Sequence, residues 1–172
     1  ARLLRTLACL FTVALKWLLI GRYRPGKHPF YSTFVWRDEI INSMQEVVAG
    51  GWLLTGALGS PIMNVYLRAM GAKVGRDAYV ETLAITEYDQ VDIGAAASIN
   101  RGGCVETHLF QDRVMQIGPG KLGSRASIGS RSAVLLETEM GESSRLGMRS
   151  VLLRGESLPA RTRWVGAPVV AE

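Results

Sequence analysis

The chain has two histidines, His28 and His108. His28 stands in the proline-rich stretch Pro25 to Pro29, where no other residue type points to chemistry. His108 stands where a regular pattern fails, within Cys104-Val105-Glu106-Thr107-His108-Leu109-Phe110-Gln111-Asp112-Arg113. An amine or hydroxyl attacking a thioester must lose a proton as the new bond forms. An imidazole, with an ordinary pKa near ~6.5, can take that proton at neutral pH. General-base help of this kind is worth roughly 10²–10⁴ in rate. Glu106 or Asp112 would fix the tautomer and orient the ring. Gly102 or Gly103 would offer a backbone N–H to the charge developing on the carbonyl oxygen. Asn100 would place the incoming amine or hydroxyl. The competing reading of His108 is a corner histidine with satisfied hydrogen bonds.

The acids allow two readings. Glu81, Glu87 and Asp89 cluster early, and Glu137 and Glu139 recur further along. On a regular scaffold such acids form a solvated face. Alternatively they line a pocket for a cationic acceptor, since a carboxylate stabilises a charged amine. A catalytic zinc needs about three protein ligands, and His108 is the sole histidine in the patterned region, so no metal is expected. No Cys-x-x-Cys, phosphate loop or serine-hydrolase elbow is present.

The pattern that positions these residues has a period of six. Leu122, Ile128, Val134, Met140, Leu146, Leu152, Leu158 and Trp164 stand six apart without a break. Two places before most of them stands a small residue: Ala126, Ser132, Thr138, Ser144, Ser150, Thr162. Glycine follows at Gly123, Gly129, Gly141 and Gly147, where it is expected to take backbone angles that a Cβ would penalise. Fixed-period repetition means stacked units, none of which buries its apolar face alone. Val74, Val80 and Thr86 share the register. After a one-residue slip, Ile93, Ile99 and Val105 resume it. It breaks between Leu109 and Gln116, and Ile117-Gly118 restarts it. A mainly β protein follows, a parallel β-helix over residues 72–168 with one insertion after His108. Loops ejected from a regular solenoid are where function concentrates.

Before the repeats, Leu3 to Ile20 is apolar apart from Arg5 and Lys16, and Arg22, Arg24 and Lys27 follow. Residues 1–24 are read as a membrane-associated helix, spanning or lying in the interface, with a helix packed on the domain as the alternative. The basic flank puts the repeats on the cytoplasmic side. Residues 25–71 form a helical linker and cap. Ser32 or Thr33 caps a helix over 34–49, with Asp38 and Glu39 favouring its first turns. Trp52 to Leu58 is a short apolar segment. Pro61 starts a second helix, with Val65, Tyr66, Ala69 and Met70 on its apolar face, ended by Gly71. Residues 169–172 are a tail.

At 172 residues and 48% hydrophobic, the chain supports about one domain with a real core. Starting at Ala1, it is expected to be a piece of a longer protein. Cys9 and Cys104 read as free thiols of a reducing compartment. A net charge of +5 suits anionic partners such as headgroups, phosphopantetheine or an acidic carrier. No basic run interleaved with aromatics points to nucleic acid.

The hexads resemble those of the hexapeptide-repeat acyltransferases, which implies a left-handed, three-sided β-helix preceded by α-helices. In that family a histidine at the base of such a loop is the general base. Trp164-Val165-Gly166-Ala167-Pro168 resembles the family's closing segment, which implies that Trp164, Gly166 and Pro168 line the channel for a pantetheine arm; a plain terminating turn is the other reading. Phe34-Val35-Trp36-Arg37, Tyr66-Leu67-Arg68, Gly71 to Gly75, Thr86 to Asp89, Thr107 to Met115 and Glu137 to Gly141 together resemble the C-terminal condensing domains of poly-lysine-synthetase-type nonribosomal peptide synthetases. That resemblance implies isopeptide formation between an aminoacyl thioester on phosphopantetheine and an amine such as that of lysine. It implies carrier and adenylation domains in the same synthetase, sister domains or a homotrimer as partners, and Glu106, Asp112, Glu137 and Glu139 around a cationic acceptor. The alternatives are a CoA-dependent acetyltransferase of a small metabolite, using acetyl-CoA, and a non-catalytic assembly copy.

Overall fold

The computed structural model describes residues 2–51 and 54–172. The first two residues of the apolar segment expected at Trp52 lie outside them. Helix α1 (Arg2–Leu19) leads into strand β1 (Gly26–Pro29) and helix α2 (Thr33–Ser43). Ser32 caps α2 by accepting from the Val35 N–H. The helix then widens into a π-helical segment, Met44–Gly50, and a short 3₁₀ turn, Leu54–Ala57, precedes helix α3 (Pro61–Met70). Pro61 opens α3, and Gly71, at φ 115°, closes it. Its buried face is Met63, Tyr66, Leu67 and Met70. Val65 and Ala69, expected on that face, are exposed instead.

The repeats begin with β2 (Lys73–Val74), β3 (Tyr79–Val80), β4 (Val91–Ile93), β5 (Ser98–Ile99) and β6 (Cys104–Val105). The insertion is a hairpin, β7 (His108–Gln111) and β8 (Val114–Ile117). Strands β9 (Gly120–Leu122), β10 (Ser127–Ile128), β11 (Ala133–Val134), β12 (Thr138–Met140), β13 (Arg145–Leu146), β14 (Val151–Leu152), β15 (Ser157–Leu158), β16 (Arg163–Val165) and β17 (Val170–Ala171) complete the chain. Parallel pairing sorts them into three faces: β15-β12-β9-β4-β2, then β16-β13-β10-β5-β3, then β14-β11-β6. β17 folds back antiparallel on β16. Ser127 pairs with Arg145 and Arg145 with Arg163, so one coil is three hexads.

The aliphatic residue of each hexad points into the column, and Ile99, Val105, Ile128, Val134, Met140 and Leu152 are fully buried. The small residues Ala126, Ser132, Thr138, Ser144 and Ser150 are buried at the corners. The left-handed backbone angles fall one place earlier, on Arg125, Arg131, Glu137, Ser143, Arg149 and Arg161, with φ between 54° and 61°. The glycines do something other than expected. A Cβ on Gly129 would lie 2.6 Å from Gly147 C, and one on Gly141 would lie 2.5 Å from Ala160 N. They let one coil approach the next, while residues with side chains take the strained angles. Two further register expectations shift. Ile85, not Thr86, is the buried residue and bridges to Val105. Ile117 belongs to the hairpin, and the coil resumes at β9.

The first helix corrects the spanning expectation. Among the described residues no helix is long and apolar enough to cross a membrane. Cys9, Thr12 and Lys16 form the buried face of α1, and Trp17 Nε1 donates to Ala69 O at 2.8 Å. The opposite face shows Leu7, Leu10, Phe11 and Leu18 to solvent. Lys16 is fully buried, with Nζ 2.6 Å from Asp89 Oδ2 and 3.7 Å from the Trp17 ring centroid. Burial pulls its pKa down, against the Asp89 carboxylate that holds it up. Breaking a buried ion pair strands the other charge. Lys16→Met should therefore cost about 3 kcal/mol in denaturant unfolding, and Lys16→Met with Asp89→Asn should recover most of it. A double variant no more stable than the single one would contradict this role for the pair.

Candidate active site

His108 is the first residue of β7, one step past the corner that ends β6. The hairpin pairs His108 with Ile117 and Gln111 with Val114. Its two-residue turn, Asp112-Arg113, has φ of 52° and 61°, the twist that suits right-handed strands. Strand β1 adds to the free edge of β8, setting His28 beside Met115. Gly118 N–H donates to Thr107 O at 2.9 Å and closes the hairpin base. Phe110 lies edge-on to His108, at 5.3 Å between centroids, and to Phe30, at 5.4 Å.

The acid beside the imidazole is Glu87. The one-residue slip in the repeat leaves Glu87 at φ 38° and turns its side chain into the protein, fully buried. His108 Nδ1 stands 2.9 Å from Glu87 Oε1 and 3.0 Å from Oε2. Thr107 Oγ1 lies 2.9 Å from Glu87 Oε2. A carboxylate only accepts, so Nδ1 carries the proton and Nε2 keeps its lone pair. The ring is about one-fifth exposed, at 21%, enough to meet a substrate.

A second buried carboxyl stands behind this pair. Asp38 of α2 accepts from Tyr23 Oη at 2.7 Å and from Asn42 Nδ2 at 3.2 Å. Burial and the Glu87 charge push its pKa up to about 7, against the Tyr23 hydrogen bond and the charge of His108. For His108, burial alone would lower the pKa. The hydrogen bond and charge of Glu87, with the charges of Asp38 and Glu106, outweigh burial and leave it raised. The protonated ring is thus favoured in the folded state. Its contribution to stability is full below the unfolded pKa and is lost as pH rises through the folded one.

The other expected site residues lie elsewhere. Glu106 is exposed, and Asp112 occupies the hairpin tip, so neither orients the ring. Gly103 N–H is spent on Asn100 O at 2.8 Å. Asn100 Nδ2 donates to Ile128 O at 2.7 Å, and Gly102 turns the same corner, at the far end of β6 from His108. Glu81 pairs with Arg101 at 3.1 Å, and Asp89 holds Lys16. Glu137 faces Arg154 at 2.7 Å, and Arg154 also reaches Gln116 of the hairpin at 2.6 Å. Glu139 is exposed beside Lys121. Trp164 Nε1 bonds Thr162, and Gly166 N–H bonds Ser150 Oγ. With Pro168 they form the turn that closes the last coil, three rungs of roughly 4.8 Å each above β5. Asp38, Tyr23 and Thr107 were missed. The signal was available for Asp38: it continues the helical stripe Val35, Ile41, Asn42, Gln45 that faces the repeats.

A pantetheine arm carries phosphate and an aliphatic chain. A surface recess of about 490 Å³, lined by Ser130, Arg131, Met148 and Arg149, offers two guanidiniums beside an exposed thioether. These residues fit such a group. Among the described residues, no group of three or more His, Cys, Asp or Glu is placed to hold a metal ion.

No protein-family model matches the chain. Solved structures of acetyltransferases share its fold. A maltose O-acetyltransferase from Clostridium difficile 630 aligns with TM-score 0.61 and 14% identity over 86% of this chain and 91% of that one. A galactoside acetyltransferase in complex with coenzyme A aligns with TM-score 0.58 and 14% identity over 86% of each chain. A hexapeptide-repeat acetyltransferase from Vibrio cholerae aligns with TM-score 0.50 and 12% identity over 98% of this chain and 90% of that one. The fold is that of the hexapeptide-repeat acetyltransferases, and it fits the left-handed winding that the family resemblance implies. In sequence, the chain is 39% identical over 171 residues, 99% of its length, to a delta-poly-L-ornithine synthetase from Acinetobacter baumannii (strain AB307-0294). It spans 13% of that protein's length.

The Glu87 contact sets a measurable value. An NMR titration of the His108 ring should give a midpoint above the usual imidazole value, and Glu87→Gln should lower it. An unchanged midpoint in the folded variant would show that Glu87 does not govern the ring.

Proposed function

We propose that this chain is an acyltransferase domain that forms amide bonds, joining an aminoacyl thioester to the amine of a diamino acid or of a growing chain. The observation that carries this reading is the His108–Glu87 pair at the base of the β7–β8 hairpin in a fold shared with acetyltransferases. The 39% identity to a segment of a delta-poly-L-ornithine synthetase supports the amine acceptor and the amide product. A thioester on phosphopantetheine supplies an acyl carbon already activated toward amines, and Arg131 and Arg149 would hold the arm's phosphate.

His108 Nε2 takes the proton that the amine nitrogen must lose as it bonds to the acyl carbon, and gives it to the sulfur that leaves as the thioester C–S bond breaks. Glu87 holds the ring in the tautomer with Nε2 free and steadies the imidazolium that results. Thr107 fixes the carboxylate from its other side. Asp38 and Tyr23 form the buried wall behind it. Carrier and adenylation domains of the same protein are the proposed partners, and sister copies or a trimer would complete the cleft between columns.

A second reading, acetyl transfer from acetyl-CoA to a small metabolite, is favoured by the shared fold with a galactoside acetyltransferase in complex with coenzyme A. Supplying the intact protein with acetyl-CoA or with a carrier-bound aminoacyl thioester separates the two. His108→Ala should lower amide formation from the loaded carrier by about a hundredfold or more without changing the circular dichroism spectrum. A folded, fully active His108→Ala protein would refute the catalytic assignment.

A further inference from the structure

The cavity between α2 and the first coil has about 460 Å³ and is lined by Asn42, Gln45, Glu46, Leu83, Ala84, Ile85 and Thr86. Among the described residues its lining has no cationic side chain. Gln45 is 6% exposed, and its Nε2 is committed to Leu83 O at 2.9 Å, which fixes how the amide faces. Its Oε1 is buried without a hydrogen-bond partner among the described residues, and so is Thr86 Oγ1. Buried polar atoms are rarely left unpaired, and an exception calls for an explanation. Here both atoms belong to residues that line one cavity, with Glu46, Leu83 and Ile85 in the same lining. Gln45 Oε1 can only accept and Thr86 Oγ1 can accept as well as donate, so a cation with N–H groups on an aliphatic stem would satisfy both oxygens and lie against Glu46.

The cavity shares its polar wall with the histidine site. Thr86 precedes Glu87, and its carbonyl accepts from Thr107 Oγ1 at 2.8 Å. Asn42 holds Asp38, whose charge acts on His108. The π-helical widening after Ser43 carries Gln45, and Gly50 lets the segment lie close to Leu83, since a Cβ there would stand 3.0 Å from Leu83 Cδ1. Widened helical turns of this kind recur at functional sites.

The geometry points to this cavity as the binding site for the alkylammonium group of a diamino-acid acceptor, with Gln45 Oε1 and Thr86 Oγ1 accepting from the ammonium and Glu46 facing its charge. This inference rests on the amine-acceptor reading above. The test is NMR titration of this chain with L-ornithine and with L-norvaline, which has the same carbon chain without the side-chain amine. Ornithine should bind saturably and norvaline should not compete. Thr86→Val, which keeps shape, and Gln45→Met should each weaken ornithine about tenfold. His108→Ala should bind ornithine as the parent does. Absence of saturable binding, equal binding of norvaline, or unchanged affinity in both folded pocket variants would overturn the site. If the pocket variants keep ornithine while His108→Ala loses transfer, the catalytic reading stands and the pocket falls. If they lose ornithine while His108→Ala stays active, the pocket stands and the catalytic reading falls.

Discussion

A carboxylate sealed inside protein must be paired or hydrogen-bonded, because leaving water costs it far more than an unpaired dipole would. Glu87 is such a group, and much of the irregular half of this molecule exists around it. The slip in the first coil turns it inward. Thr107 and His108 reach it from the neighbouring coil, while Asp38, from a helix outside the repeats, feels its charge. Thr107 and His108 both have a further tie: the Thr107 hydroxyl also lies 2.8 Å from Thr86 O, and His108 belongs to the paired hairpin. The imidazole is therefore held from several sides at once.

The regular half supplies rigidity. From β9 onward every coil repeats the one beneath, with aliphatic residues inside, small residues at the corners and glycine where coils meet most closely. Stacks of this kind have no freedom to reshape a site, so chemistry collects where the stacking is interrupted. The hairpin and the N-terminal helices both attach at that interruption. Strand β1 pairs with the hairpin, α2 covers the first coil, and the buried Lys16–Asp89 pair ties α1 to the same coil. The N-terminal segment is thus part of the site's wall rather than an appendage to it.

The column was legible because its signal repeats many times. A hexad read eight times over outweighs any local ambiguity, and the position of His108 at the break follows from the same count. The partner acid was not legible, because sequence proximity favoured Glu106 and Asp112. The slip placed Glu87 a coil below but directly across from the ring, a contact set by stacking rather than by neighbours. Asp38 carries two conflicting signals, since its place in the stripe with Val35 and Ile41 marks the buried face. An acid early in a helix reads as a partner for the helix N-terminus, and only the packing of α2 on the coil makes it buried. The spanning reading of α1 failed because hydropathy along the sequence does not reveal that Lys16 has a carboxylate waiting in the folded domain.

The central claim is that Glu87 fixes His108 with its proton on Nδ1 and Nε2 free. Nitrogen-15 chemical shifts of the His108 ring, recorded above its titration midpoint, report this directly. The account predicts a protonated, pyrrole-like Nδ1 and an unprotonated, pyridine-like Nε2. The reverse assignment, with the proton on Nε2, would leave the ring unable to act as the base and would contradict it.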